Sequence, residues 1–437
     1  MTVDLILKNG LVIVEGKPVV RSVGITSGKI EGIYIGGEAP PSEETIDCEG
    51  KYILPGVIDI HVHLRDMSRE DKEDFSTGTM AAAAGGVTTV LDMPNSNPPT
   101  LSWNALKEKI TRARERRFVN IGFYAGIPKS INDFDEKMVA HIHGFKVYPH
   151  SPLVKDIEFS SQRIRECMKL AKTHNLPLLF HPDSSTSEEQ PKTHDEFFEQ
   201  HSCEHEVEAL QKFIAIQKEI ECRLHVCHVS CADSAELIAA NRAERSLTAE
   251  VTPHHLLLQR NEFSHHNGIA KMLPPLRTKK DRETLWLYLQ RCAIDCVATD
   301  HAPHTWGEKS AKFLYAQSGI PGLETLVPLL LTEVFDGRLS WVEYLRYCAS
   351  GPAGIMNLRG KGVLTKGYDA DIVVVEKGEW KIEGSSFFSK SKLTPFEGRI
   401  VKARPIHTLV RGVLVYSHGK ITIGSGYAGH VPVGSII

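Results

Sequence analysis

Between residues 56 and 299 the chain alternates short apolar runs with longer polar-faced stretches, and few folds accept that rhythm over such a length. Runs at 56–62, 88–94, 119–125, 143–148, 177–181, 223–229, 247–252 and 293–299 have the size and aliphatic content of buried strands. Stretches at 103–116, 161–174, 204–219 and 233–243 have helical length and lie between some of them. Parallel strands can be joined only through a crossover, and the helices that make the crossovers cover the sheet. Eight such strands predict an α/β fold, a (β/α)8 TIM-like barrel.

The two ends have a different texture. Residues 1–55 are short Val- and Ile-rich runs punctuated by Asn9-Gly10, Glu15-Gly16, Ser27-Gly28 and Glu49-Gly50. The pattern returns near residue 359, where Lys366-Gly367-Tyr368-Asp369-Ala370-Asp371 leads into Ile372-Val373-Val374-Val375. Each end alone is too small to bury a core. The expected organisation is one smaller, discontinuous β-sandwich-like domain, 1–55 plus 359–437, around a barrel domain at 56–358.

Composition narrows the partners. The 437 residues are 41% hydrophobic and 24% charged, as in ordinary globular proteins. A net charge of −3 gives no basic field for nucleic acid, so an anionic substrate must be held by a few local cations. No apolar run is long enough to span a bilayer, and Met1-Thr2-Val3-Asp4-Leu5 lacks the start of a signal peptide. With nine scattered cysteines, the expected location is the reducing cytoplasm. Cys222, Cys227 and Cys231 fit no zinc-ribbon spacing and read as small buried thiols.

Barrels of this type carry their chemistry at the C-terminal ends of the strands. His61 and His63 close the first run at a spacing of two, which turns both imidazoles to one side of a strand. Lys146 lies in the fourth run, His181 ends the fifth, His228 the sixth, and Asp300 follows the eighth. One histidine at a strand end ordinarily bonds a loop carbonyl. Ligand types at one rim of five strands predict a metal centre. Other histidines fit the centre less well. His141 and His143 start the fourth run, at the opposite rim. His225 faces away from His228 if the strand continues. His254, His255 and His301 read as supporting residues. Lys146 has two readings. An ammonium has no lone pair for a cation. Near metal, however, the amine form is favoured and can add carbon dioxide, giving an anionic carbamate that bridges two metals. Alternatively, the lysine pairs with a carboxylate at the barrel mouth.

The set His61-Val62-His63, Gly144-Phe145-Lys146, His181, His228 and Thr299-Asp300-His301-Ala302-Pro303-His304 resembles the amidohydrolase superfamily. Arg65, Met93-Pro94-Asn95-Ser96-Asn97-Pro98-Pro99-Thr100, Glu250-Val251-Thr252-Pro253-His254-His255-Leu256 and Gly319-Ile320-Pro321-Gly322-Leu323-Glu324-Thr325 narrow the likeness. They resemble dihydroorotases of the long type, which carry a carboxylated lysine. The resemblance implies reversible hydrolysis of the cyclic amide of (S)-dihydroorotate to N-carbamoyl-L-aspartate, in de novo pyrimidine biosynthesis.

It also implies two zinc ions per subunit, with manganese or cobalt as alternatives. His61, His63, Lys146 and Asp300 would hold one, and Lys146, His181 and His228 the other. N6-carboxylated Lys146 and a hydroxide would bridge them, and Asp300 would act as general base and acid. Arg65, Asn95 and His304 match positions that hold the substrate carboxylate. His63, Ser318 and Gly319 complete the implied substrate contacts. A homodimer and aspartate carbamoyltransferase are the implied partners. Two places depart from the family pattern. Leu273, in Leu273-Pro274-Pro275-Leu276-Arg277, stands where Asn is frequent, and Asp66-Met67-Ser68 replaces Glu-Pro-Gly. The rival readings are an allantoinase or hydantoinase, and a non-catalytic dihydroorotase-like scaffold that would have lost ligands. Arg65 and Asn95 favour the anionic pyrimidine.

Overall fold

The computed structural model describes residues 2–67, 69–185, 190–242, 246–263 and 268–424. Ser68, position 243 of the last expected helix and the stretch 425–437 of the expected terminal domain lie outside the described residues.

The N-terminal end forms β1 (Val3–Val14), β2 (Lys17–Thr26), β3 (Lys29–Tyr34), β4 (Ser42–Asp47) and β5 (Tyr52–Pro55). The middle forms β6 (Val57–Val62), β7 (Val87–Asp92), β8 (Asn120–Phe123), β9 (Phe145–Val147), β10 (Leu178–Phe180), β11 (Leu224–Val226), β12 (Leu247–Val251) and β13 (Cys296–Val297). Each of these overlaps one predicted run. The C-terminal end adds β14 (Ile372–Lys381), β15 (Ile400–Val410), β16 (Val413–Ser417) and β17 (Lys420–Ile421).

Strands β6-β7-β8 pair in parallel, as do β9 to β13. Parallel bridges Ala125–Phe145 and Val62–His301 join the two groups into a ring. This is the (β/α)8 barrel. Residues of β6, β7 and β8 are buried along their whole length, which is why these runs are mainly apolar rather than alternating with exposed polar residues. Ile58, Ile60, Leu91, Tyr124, Leu179, Cys227 and Cys296 pack together as an inner core. Helices surround the ring, among them Trp103–Arg116, Ser161–Thr173, Cys203–Ile220 and Ala232–Ala240. Helix Phe75–Ala84 opens on Asp74, whose side chain and Thr77 form a reciprocal cap. It stops at Gly85, where a Cβ would collide with the carbonyl oxygen of Leu323. No helix among the described residues is long and apolar enough to cross a membrane.

Strands from both ends share one sheet, ordered β17-β16-β15-β14-β5-β1-β2-β3, with β4 paired to β1. β14 lies antiparallel to β5 and so stitches the C-terminal end to the N-terminal end. The sheet is fastened to the barrel at several points. Tyr52 stacks on Trp341 with ring centroids 4.9 Å apart, and Thr408 donates to the Ala83 carbonyl at 2.6 Å. Asp371 accepts from the Asn120 side chain of β8 at 2.8 Å and from the Arg411 backbone at 2.8 Å. Lys361 neutralises this junction, lying 2.6 Å from Asp371 and 2.8 Å from Asp369.

Replacing Lys361 by Met leaves the buried Asp371 carboxylate without its cation and removes one of the cations around Asp369, which keeps Lys29 and Arg411. The expected loss is about 3–5 kcal/mol, read by urea unfolding at neutral pH. Burial works against the Asp369 charge, yet Lys361, Lys29 and Arg411 hold its carboxyl below the usual range. Its stabilisation is therefore present above about pH 4 and is lost as pH falls through the depressed folded value. The difference between wild type and the variant shrinks on acidification.

Candidate metal centre

Each ligand-type side chain sits at a strand end or in the turn that follows. Asp300 Oδ1 lies 3.2 Å from His61 Nε2 and 3.1 Å from His63 Nε2. These three residues offer ligand atoms within 4.8 Å of one another. Across the barrel mouth, the His228 ring is 5.2 Å from that of His61 and 4.5 Å from that of His181. Lys146 is fully buried and acts electrostatically on His61, His181 and His228. The six sequence-predicted ligand positions thus converge on one pocket. Three turn residues there have left-handed backbone, Arg65 (φ 58°), His228 (φ 35°) and Asp300 (φ 49°). Such conformations cost about 1–3 kcal/mol each in non-glycine residues and cluster where side chains must be aimed.

The pocket is built for a cation. His181 Nε2 and His228 Nδ1 are buried and make no hydrogen bond. Burial, reinforced by neighbouring histidines and Lys146, holds both rings well below the ordinary histidine range, so they are neutral and keep a lone pair. Burial also pulls His61 down, but the Glu250 and Asp300 carboxylates outweigh it and raise its pKa to about 10. This corner therefore stabilises positive charge, which a divalent ion can supply in place of the proton. Asp300 is only partly exposed, and His61 and His63 hold it well below the usual carboxylate range. Lys146 donates to Cys227 Sγ at 2.7 Å. Among the described residues no carboxylate lies within ion-pair distance of its Nζ, so the carboxylate-paired reading of Lys146 does not match this pocket. Cys222, Cys227 and Cys231 are buried thiols.

A layer of acceptors aims these ligands. Glu250 bonds His61 Nδ1, leaving Nε2 toward the centre. Its second oxygen bonds His225 Nε2 at 3.1 Å, and it accepts from the His228 backbone at 3.2 Å. His225 thus meets Glu250 through its ring, and His228 meets the same carboxylate through its backbone N–H. β11 ends at Val226, and the turn that follows reorients His228. Asp59 accepts from the backbone of His61 at 3.1 Å and of Thr299 at 3.2 Å, tying β6 to the turn that carries Asp300. His63 Nδ1 donates to Asn95 Oδ1 at 2.8 Å. Sequence reasoning gave Glu250 and Asp59 no role. The available signal was an acid inside an otherwise apolar strand.

The mouth is cationic. Arg65 is half-buried beside Asp300 and is coupled electrostatically to it, to Tyr148 and to Asp92. His304 Nε2 donates to the Ser318 carbonyl at 2.9 Å, and its Nδ1 faces the Lys72 ammonium at 3.0 Å. Gly319 (φ 132°) follows Ser318. A Cβ there would sit 2.5 Å from the Ala302 carbonyl and 3.1 Å from His304 Nε2, so only glycine fits. Asp66, one of the departures, is fully enclosed. It accepts from Arg112 at 2.6 Å, Arg116 at 3.1 Å and the Phe75 backbone at 3.0 Å, which pins the segment after Arg65. Leu273 is half-buried beside Pro274, whose carbonyl is bonded by His255. His254 is also buried, which holds its pKa at about 4.

The model of the amidohydrolase family matches residues 52–415. The chain belongs to the amidohydrolase family. Curated relatives include a dihydroorotase of Halobacterium salinarum, 33% identical over 93% of this chain and 98% of that one. A dihydroorotase of Bacillus caldolyticus is 34% identical over 95% and 99%. Among solved structures, the L-hydantoinase (dihydropyrimidinase) from Arthrobacter aurescens superposes with a TM-score of 0.91 at 28% identity, covering 97% of this amidohydrolase and 98% of that chain.

Glu250→Ala leaves His61 without its orienting acceptor. Divalent-cation affinity should fall about 10–100-fold, measured by equilibrium dialysis with zinc.

Proposed function

We propose that this amidohydrolase is a dihydroorotase, hydrolysing the cyclic amide of (S)-dihydroorotate to N-carbamoyl-L-aspartate and closing the ring in the biosynthetic direction. The observation that carries the reading is Arg65, a half-buried cation set against the histidine–carboxylate cluster. A planar guanidinium grips a carboxylate through two parallel hydrogen bonds. Dihydroorotate has that carboxylate, whereas a hydantoin ring does not. The near full-length likeness to curated dihydroorotases supports the same choice. The complete ligand set speaks against a non-catalytic scaffold.

The donor set fits two zinc ions, or manganese or cobalt. His61, His63 and Asp300 suit one, His181 and His228 the other, and a carboxylated Lys146 suits the position between them. A bare ammonium buried among imidazoles is costly, and carboxylation would turn it into an anionic ligand. When bound, the metals would polarise the ring carbonyl and lower the pKa of the attacking water. In this reading Asp300 takes the water's proton on a carboxylate oxygen and hands it to the departing ring nitrogen. Its depressed pKa keeps it ionised and ready to accept. Arg65 and the Asn95 side chain orient the substrate carboxylate, the His304 Nε2 proton, shared with the Ser318 carbonyl, adds a third donor, and Ser318 and Gly319 offer backbone to the ring. Cytoplasmic residence belongs to the same reading, since all nine cysteines are free thiols. Homodimerisation and docking to aspartate carbamoyltransferase are proposed on the resemblance alone.

The direct test is a spectrophotometric assay of the zinc-loaded protein. Turnover of dihydroorotate with none of hydantoin or allantoin is expected, and the reverse pattern overturns the proposal. Asp300→Asn should keep the fold and lose about 10²–10⁴-fold in kcat. Arg65→Met should raise KM for dihydroorotate by an amount equivalent to about 2–5 kcal/mol, with circular dichroism unchanged.

A further inference from the structure

Lys72 has no part in the proposed chemistry so far, yet it is placed against it. It is only 5% exposed. Its ammonium lies 3.0 Å from His304 Nδ1 and 2.9 Å from Glu308 Oε1. Glu308 Oε2 lies 3.4 Å from the same His304 nitrogen. Two groups of opposite demand therefore compete for one ring atom. An ammonium can only donate, so next to it Nδ1 must be the acceptor. A carboxylate can only accept, so with Glu308 as its partner Nδ1 would carry the proton.

The outcome at Nδ1 fixes the other end of the ring. With Lys72 on Nδ1, the neutral imidazole carries its proton on Nε2, where it meets the Ser318 carbonyl at 2.9 Å. With Glu308 on Nδ1, Nε2 would be a bare lone pair facing that carbonyl and any incoming anion. Burial, followed by Arg65, Lys72 and Lys309, holds the His304 pKa down at about 3. The ring is therefore neutral at physiological pH, and its tautomer decides whether it donates or repels.

We propose that Lys72 is a positioning residue that locks His304 in the Nε2–H tautomer, and so keeps at the mouth a hydrogen-bond donor that the Ser318 carbonyl accepts and that the carboxylate of an anionic substrate can share. Lys72 also holds Glu308 through Oε1, while Oε2, the oxygen nearer Nδ1, accepts from the Thr305 backbone and hydroxyl at 3.1 and 3.2 Å, so the carboxylate that could reverse the tautomer is engaged elsewhere. The device deepens the reading of this mouth as an anion site and rests on it. An uncharged cyclic amide gains nothing from it.

The experiment has two independent readouts. Two-bond 1H–15N spectra of 15N-histidine-labelled protein, with the His304→Gln spectrum used for assignment, report the tautomer of His304 directly. The wild type should show Nε2–H, and Nδ1–H in the wild type overturns the proposal even if no variant folds. Lys72→Met should show Nδ1–H and raise KM for dihydroorotate about tenfold, the scale of one hydrogen bond to a charged group, with kcat within about twofold. In the double variant Lys72→Met/Glu308→Gln the amide can donate to Nδ1, so the Nε2–H signal and most of the KM should return. A merely structural role for Lys72 predicts instead that the second substitution adds to the damage, and that result overturns the inference. If the wild type fails to turn over dihydroorotate, the functional reading falls, while the tautomer spectra still judge the lock.

Discussion

A single buried carboxylate organises the barrel mouth. Glu250 sits on β12 with no exposure to water and bonds His61 from β6, His225 from β11 and the backbone at His228. A charge in that position is tolerable only because each of its oxygens is satisfied. Its reward is geometric, since three strands are held in register by one group. The His61 ring is turned so that its other nitrogen faces Asp300. Asp59 repeats the device one layer deeper, gripping the backbone of β6 and of the turn before Asp300. The left-handed turns at His228 and Asp300 persist because these acceptors over-determine them.

The site is electrically two-faced. Its floor, with Asp300 and Glu250 around His61, holds positive charge, while its rim presents Arg65 and Lys72. A cation is stabilised at the bottom and an anion at the top. A substrate with a carboxylate at one end and a polarisable carbonyl at the other is oriented by this separation before any specific bond forms. The solved L-hydantoinase structure shares the fold, and the rim is where a preference between charged and neutral rings can be written.

Much of this was legible in the chain. Eight apolar runs gave the barrel because buried parallel strands are apolar throughout, and the strand-end histidines, Lys146 and Asp300 gave the pocket because barrel chemistry gathers at one rim. The parts that escaped depend on contacts between distant segments. Lys72 lies 232 positions from His304, and Glu250 lies 189 from His61. No local pattern specifies such meetings. The aim of the His228 ring escaped for a different reason: alternation describes a strand, and β11 had ended two residues before it. Asp66 looked like an irregularity at the mouth, and in space it is the anchor for two arginines from the helix Trp103–Arg116.

The seam between β5 and β14 has an implication for biogenesis. β5 is made before the barrel, and its antiparallel neighbour only after residue 371. At ribosomal speeds of about 5–20 residues per second, the aliphatic edge of β5 waits on the order of tens of seconds for its mate. During that interval the nascent N-terminal sheet is an open template, and a chaperone or the growing barrel wall must shield it until the last strands emerge.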